Sequence, residues 1–113
     1  MIPYESWRAR TADADLLQRC KEAIRAVVPE ADVILYGSRA RGDAKDDSDY
    51  DLLVLVDRPA DVAVHKQLIS SISPLEEDGA VLTLSIHNRD LWNSRLYRAM
   101  PFHENVDREG VLL

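Results

Sequence analysis

Hydrophobic residues in this chain follow helical spacing in some segments and form short continuous runs in others. From Asp13 to Val28 they recur every three or four positions, which predicts a helix with Asp13 as its N-cap and Pro29 just beyond its end. The buried stripe of this helix is predicted to be Leu16, Leu17, Cys20, Ala23, Ile24 and Val27. A second helix is predicted from Val62 to Ile72, with its buried side formed by Val62, Leu68, Ile69 and Ile72.

Continuous apolar runs predict two strands. Val33 to Tyr36 and Leu52 to Val56 are apolar throughout, as expected for strands that are covered on both faces. The segment from Val81 to His87 alternates instead, which indicates a third strand with one polar face. Its apolar face is predicted to carry Leu82, Leu84 and Ile86, and its polar face Thr83, Ser85 and His87.

The remaining segments connect or extend these elements. Residues 1–12 are expected to form an irregular lead-in, and Asn88 to Met100 is expected to be helical. The end of the chain, Pro101 to Leu113, is interpreted as a last helical turn that runs into an apolar tail, which either joins the sheet or core or contacts another chain. The element order predicts a single α/β (α+β) domain over residues 1–113, with a small mixed β-sheet flanked by helices.

Composition narrows the classes of function. The 113 residues include 20 acidic and 14 basic ones, and a net charge of −6 disfavours duplex DNA and anionic membranes as partners. No apolar run approaches the roughly 20 residues that span a bilayer. The lone Cys20 cannot form an internal disulfide, which indicates a reducing cytoplasm, and it is interpreted as a small buried hydrophobe.

A pair of carboxylates marks the start of the second predicted strand. Asp49 and Asp51 are two residues apart, so they lie on one face of an extended chain. Like charges held this close favour a hard cation between them, and Mg²⁺ uses one or two protein carboxylates together with phosphate oxygens. Because other acidic residues lie nearby, a solvated acidic turn is the alternative interpretation of this pair taken alone.

A glycine-bounded segment follows the first predicted strand. Gly37 allows a sharp turn and a close backbone approach to a ligand, and Ser38 stands where free N–H groups and a hydroxyl could meet a phosphate. Arg39, Arg41 and Lys45 add positive charge to this part of an acidic protein. A tight turn with solvated arginines is the alternative. Together with the carboxylate pair on the next strand, however, the segment predicts a nucleotide site in which two metal ions assist displacement at phosphorus.

The spacing of these residues resembles a known signature. Gly37-Ser38, ten intervening residues and Asp49-Tyr50-Asp51 are similar to the motif of the DNA polymerase β-type nucleotidyltransferase superfamily, as are the Arg39-Ala40-Arg41-Gly42 continuation and Ser48. The short chain most resembles minimal nucleotidyltransferases (MNT proteins), which pair with HEPN-domain proteins in toxin–antitoxin systems.

The resemblance carries expectations for individual residues. It implies that Gly37 and Ser38, with Arg39 and Arg41, bind the nucleotide, that Asp49 and Asp51 are catalytic and bind Mg²⁺, and that two ions accompany the bound NTP. It further implies transfer of AMP from ATP to a hydroxyl on a HEPN-like partner in the cytoplasm. The state of assembly, including an oligomer, is left open.

The chain departs from the superfamily pattern at one position. A third carboxylate is expected on the strand that faces the pair, but the polar face of Val81 to His87 has none. His87 could act as a base, although a structural or exposed histidine is the alternative interpretation. Glu76, Glu77 and Asp78 precede the strand and could reach the site, but a solvated turn is the favoured interpretation of these three. Two hypotheses follow: an active nucleotidyltransferase, or a weak or inactive MNT-type module that neutralises a HEPN-like partner by contact.

Overall fold

The computed structural model describes residues 1–8 and 13–113, and within them the chain forms a five-stranded mixed sheet with helices on both faces. The strand order is β1-β5-β2-β3-β4, in which β2 and β3 are antiparallel and β3 and β4 are parallel. The strands are β1 (Ile2–Pro3), β2 (Asp32–Tyr36), β3 (Tyr50–Val56), β4 (Leu82–Asn88) and β5 (Val111–Leu112). The helices are α1 (Ala14–Val27), α2 (Ser38–Arg41), α3 (Val62–Ile72), α4 (Arg89–Trp92), α5 (Arg95–Arg98) and α6 (Pro101–Glu109). The predicted fold class is confirmed.

One face of the sheet is covered by α1 and α3. Leu17, Cys20 and Ile24 of α1 are buried, as the predicted stripe requires, and they join the inward residues of β2, β3 and β4 in one core cluster. Residues 52–56 of β3 are all buried, which confirms that this strand is covered on both faces. The central strand β3, which carries Asp51 near its start, is therefore held by packing on both of its faces.

The other face is covered by the C-terminal helices. A second core cluster joins Ile34 of β2 and Leu53 of β3 to Trp92 and Val106. Tyr36 and Phe102 pack against it with their ring centroids 5.3 Å apart. The polar residues of the candidate site lie next to this face, at the start of β3.

Three predicted elements need correction. The single helix from Asn88 to Met100 is wrong, because the chain breaks after Trp92 and the Ser94 hydroxyl then accepts the Tyr97 N–H as the cap of a new helix. The buried side of α3 contains Val64 in place of Val62 and Ile69, whose side chains are exposed. Asp13 stands at the predicted N-cap position of α1, but its side chain does not cap the helix, because its carboxylate accepts a hydrogen bond from Tyr50.

Both ends of the described chain contribute to the sheet. The final residues are not one helical turn but the nine-residue helix α6, and the apolar tail joins the sheet as β5 between β1 and β2. The lead-in includes β1 and a 3₁₀ turn from Tyr4 to Ser6, and its residues 9–12 lie outside the described ranges. Within residues 1–8 and 13–113, no helix is long and apolar enough to cross a membrane.

Burial of Cys20 gives a test of the core. Burial raises the pKa of its thiol from 9.0 to about 11, so the folded state holds this proton more tightly than the unfolded state does. The stability that this group contributes is therefore full below pH 9 and is lost as the pH rises towards 11. We expect denaturant titrations to show a smaller loss of stability over this range in Cys20→Ala than in the wild type; equal losses would contradict the burial of the thiol.

Candidate nucleotide and metal site

The turn at Gly37 brings the end of β2 against the start of β3. Gly37 has a φ of 76°, a region that favours glycine, and a Cβ placed there would lie 2.5 Å from Oδ2 of Asp51. The antiparallel register pairs Tyr36 with Asp51, which fixes this approach. The glycine turn thus lies against Asp51, one member of the carboxylate pair, and this contact requires the absence of a side chain at residue 37.

The carboxylate pair is electrostatically strained. Asp51 is half-buried, and its pKa is raised by burial first and then by the charge of Asp49, with Arg41 acting in the opposite direction. Asp49 is exposed, and its Oδ2 lies 3.5 Å from the hydroxyl oxygen of Thr83. The raised pKa means that the positive charge of Arg41 only partly offsets the burial and the neighbouring charge. A cation between the two carboxylates would relieve this strain.

Arg39 does not lie with the other predicted nucleotide-binding residues. Its guanidinium donates to the Ser48 carbonyl at 2.9 and 3.2 Å and to the Asp46 carbonyl at 3.2 Å. It also lies over the Tyr50 ring, 4.3 Å from the centroid. These contacts hold the loop that leads into the carboxylate pair, so Arg39 positions Asp49 through the backbone of the residues before it. Its contact with a nucleotide stays a prediction.

Tyr50 fixes the backbone between the two aspartates. Its side chain is buried on the opposite face from Asp51, and its hydroxyl donates to Asp13 Oδ1 at 2.7 Å. Asp13 also lies 4.0 Å from the Arg39 guanidinium. Because alternate residues of a strand point to opposite faces, anchoring Tyr50 on one side orients Asp49 and Asp51 on the other.

Ser38 and Arg41 stand at opposite ends of α2. Ser38 is half-buried directly after Gly37, while the exposed Arg41 places its guanidinium 3.3 Å from Asp43. The helix itself is held by Trp7, whose indole N–H donates to the Ala40 carbonyl at 3.0 Å. Ser38 and Arg41 therefore stay beside the Gly37 turn, where a phosphate could meet them.

The strand next to the carboxylates has a hydroxyl at the position where a third carboxylate is expected. Thr83 of β4 pairs with Asp51 in the parallel register, whereas His87 pairs with Leu55. Four residues of strand separate His87 from that position, roughly 13 Å. His87 contacts the Ser85 hydroxyl at 2.9 Å and packs against Trp92, and burial with nearby His65 lowers its pKa. It is therefore placed away from the site.

Glu109 is the residue that the sequence did not reveal. Its Oε1 accepts the Gly37 N–H at 3.0 Å, and its Oε2 lies 3.0 Å from Arg41 Nη1. It reaches the site from the C-terminal end of α6, more than 70 positions along the chain from Gly37. The available signal was indirect: an acidic residue just before an apolar tail that could join the sheet.

The donors in the site fit Mg²⁺. Within the described ranges, no group of three or more His, Cys, Asp or Glu side chains could hold a metal by itself. A two-carboxylate pair next to a phosphate-accessible turn is nevertheless the donor set that Mg²⁺ uses when phosphate oxygens complete its shell. The geometry therefore suits an ion that arrives with a nucleotide.

The Gly37 turn can be tested by adding a methyl group. We expect Gly37→Ala to lose about 1–3 kcal/mol of stability from the backbone conformation and to displace Asp51, because the new Cβ would overlap its carboxylate. Gly79→Ala is the control, since Gly79 also has a positive φ but a Cβ there would have no neighbour within 4 Å. Thermal unfolding should show a loss in both variants, whereas Mn²⁺ binding should fall only in Gly37→Ala. Unchanged Mn²⁺ binding in that variant would contradict the described contact.

Comparisons with known proteins agree with this geometry. The family model for the nucleotidyltransferase domain matches residues 17–103. A Methanocaldococcus jannaschii protein named "Putative protein adenylyltransferase" is 33% identical over 81 residues, which cover 72% of this chain and 75% of that protein.

A solved structure shows the same fold. The crystal structure of a "putative nucleotidyltransferase" from Sulfolobus solfataricus superposes with a TM-score of 0.55 at 20% identity, covering 92% of this chain and 81% of that one. At this identity the likeness to the solved structure shows the fold alone. The family is shown by the family model and by the M. jannaschii relative. The chain belongs to the nucleotidyltransferase domain family and is a nucleotidyltransferase.

Proposed function

We propose that the protein transfers AMP from ATP to a hydroxyl group of a partner protein in a Mg²⁺-dependent reaction. The observation that carries the proposal is the strained pair of Asp49 and Asp51 beside the Gly37 turn. The choice of AMP and of a protein acceptor is supported by the name of the M. jannaschii relative. Both the nucleotide and the acceptor are therefore open to direct test.

Mg²⁺ would be held by Asp49 and Asp51 together with the phosphate oxygens of ATP. When bound, it supplies positive charge that neutralises the phosphates and relieves the repulsion within the pair. One or two ions are compatible with this donor set, and the resemblance to the superfamily favours two. The half-burial of Asp51 strengthens its interaction with a cation relative to a fully solvated carboxylate.

The residues of the chain orient the substrates of the reaction. The acceptor oxygen forms a bond to the α-phosphorus, the bond from that phosphorus to the bridging oxygen breaks, and pyrophosphate leaves while the hydroxyl proton passes to solvent. Gly37 lets the phosphates approach the backbone, Ser38 offers a hydroxyl, and Arg41 offers a cation. Asp49 and Asp51 would hold Mg²⁺ beside the reacting phosphate, and the resulting orientation and charge neutralisation would lower the barrier.

The acceptor in this proposal is a HEPN-like partner protein, and the protein is the antitoxin of a cytoplasmic toxin–antitoxin pair. The similarity to minimal nucleotidyltransferases supports this assignment. The helices of the described ranges pack on the two faces of one small sheet and form its two core clusters. A bulky acceptor would therefore bind on the surface of this domain. A buried and unpaired Cys20 is compatible with a reducing compartment.

A second candidate function is neutralisation of the partner by contact, with little or no transfer. The position of Thr83 favours it, because a hydroxyl stands opposite Asp51 where a third carboxylate could assist a second metal ion and the acceptor. Under this alternative, the partner binds as well without the carboxylate pair as with it. Transfer and neutralisation can be measured separately, so the two candidates are distinguishable.

Replacing the carboxylates separates these functions. We expect Asp49→Asn and Asp51→Asn to abolish transfer of label from ATP radiolabelled at the α-phosphate, because each removes a charge needed to hold Mg²⁺. Both proteins should remain folded, since Asp49 is exposed and Asp51 is only half-buried. The assay contains Mg²⁺ and the protein encoded by the neighbouring gene, and its product is detected as labelled partner.

The controls decide which candidate stands. Asp90→Asn changes an exposed aspartate of α4 and should leave transfer intact, and label at the γ-phosphate should not reach the partner. Undiminished transfer by the Asp49→Asn/Asp51→Asn double variant would refute the proposed site. No transfer by the wild type, with neutralisation of the partner retained in the double variant, would establish the contact mechanism instead.

A further inference from the structure

The Glu109 carboxylate is bound by two groups that could otherwise bind an anion. One oxygen accepts the Gly37 backbone N–H at 3.0 Å, and the other lies 3.0 Å from the Arg41 guanidinium. The Glu109 side chain is only 13% exposed, whereas the Arg41 side chain is 46% exposed. The carboxylate is thus sheltered in the site while its cationic partner remains open to solvent.

The sheet register explains why Glu109 lies there. β5 pairs with β2 in the antiparallel sense, with Val111 opposite Leu35 and Leu112 opposite Ile34. Glu109 is the last residue of α6 and lies two residues before this pairing begins. The pairing brings the end of α6 beside the end of β2, where the Glu109 side chain reaches Gly37.

Gly110 holds the tail close enough for this contact. A Cβ at Gly110 would lie 2.5 Å from the Val106 carbonyl oxygen and 3.0 Å from a methyl carbon of Ile34. Its carbonyl also accepts the Ile2 N–H at 2.9 Å, which ties the tail to β1. The end of α6 is consequently pressed against the sheet, and Glu109 is delivered to Gly37 by packing that is independent of the carboxylate.

We propose that Glu109 is an internal competitor for the triphosphate, occupying the Gly37 amide and Arg41 until the nucleotide displaces it. This inference rests on the proposed function for the identity of the anion as a nucleotide. A carboxylate and a phosphate oxygen make the same kind of charge-assisted contact with an amide N–H and a guanidinium. The single N–H of Gly37 cannot serve both anions at once, and both compete for the positive charge of Arg41, so Glu109 lowers the affinity of the chain for the phosphates.

Glu109 can be displaced because its two partners hold it differently. The Gly37 N–H is fixed by the turn, whereas Arg41 is also shared with Asp43. A triphosphate carries more charge than one carboxylate and can replace it at both donors. Release of Glu109 requires rotation of its side chain and no change in the pairing of β5.

The test compares binding of inorganic tripolyphosphate in the absence of metal. Glu109→Gln keeps the side-chain length but removes the charge, and it should bind tripolyphosphate roughly tenfold more tightly than the wild type. The backbone amide signal of Gly37 should shift during the titration. Glu104→Gln is the matched control, because it removes an exposed charge from the same helix and should bind as the wild type does. Glu109→Ala serves as a second variant if Glu109→Gln fails to fold.

Each outcome has a defined meaning. Equal or weaker binding of tripolyphosphate by the folded Glu109 variants would overturn the inference. A loss of Mn²⁺ binding by these variants in the absence of phosphate would also overturn it, because Glu109 would then be a cation ligand. Tighter tripolyphosphate binding without AMP transfer by the wild type would leave the inference standing and overturn the proposed function. Transfer by the wild type without tighter binding by the variants would do the reverse.

Discussion

The partial burial of Asp51 beside a second carboxylate, Asp49, is the constraint around which the site is arranged. Two carboxylates on one face of a strand, one of them half-buried, are unfavourable without positive charge nearby. The fold holds them together by packing β3 on both faces and by anchoring Tyr50 and Arg39 behind the pair. The packing of the core thus holds the two carboxylates close together, and a metal ion bound with a nucleotide would stabilise this pair.

The glycine turn and the carboxylates form one unit because of the β2–β3 pairing. Gly37 could not lie so close to Asp51 if residue 37 had a side chain, and it could not present its N–H to an anion if β2 ended elsewhere. The motif that is read along the chain as a spacing of residues is, in space, a contact between the end of one strand and the start of its antiparallel neighbour. The sequence motif and the contact between the Gly37 turn and Asp51 are therefore the same feature.

Much of the fold could be predicted because its central elements carry strong local patterns. The continuous apolar run from Leu52 to Val56 and the helical stripe of α1 reflect burial that each segment encodes by itself. The two-residue strands β1 and β5 have no such pattern, since each depends on pairing with a distant segment. The break at Ser94 was missed because apolar spacing alone does not reveal a cap between two short helices.

The same distinction applies to the site. Gly37, Asp49 and Asp51 lie in one local motif and could be found from their spacing, whereas Glu109 comes from the other end of the chain through the register of β5. Arg39 shows a different limit: its charge suggested a phosphate contact, but only the fold shows its guanidinium bound to loop carbonyls.

The role of the carboxylate pair is tested most directly by a double-mutant cycle on the stability of the protein. The free energy of unfolding would be measured for the wild type, Asp49→Asn, Asp51→Asn and the double variant, with and without Mg²⁺ and a non-hydrolysable ATP analogue. We expect a repulsive coupling between the two aspartates without metal, and stabilisation by Mg²⁺ and nucleotide in the wild type alone. Zero coupling, together with equal stabilisation of all four proteins, would contradict this role of the pair.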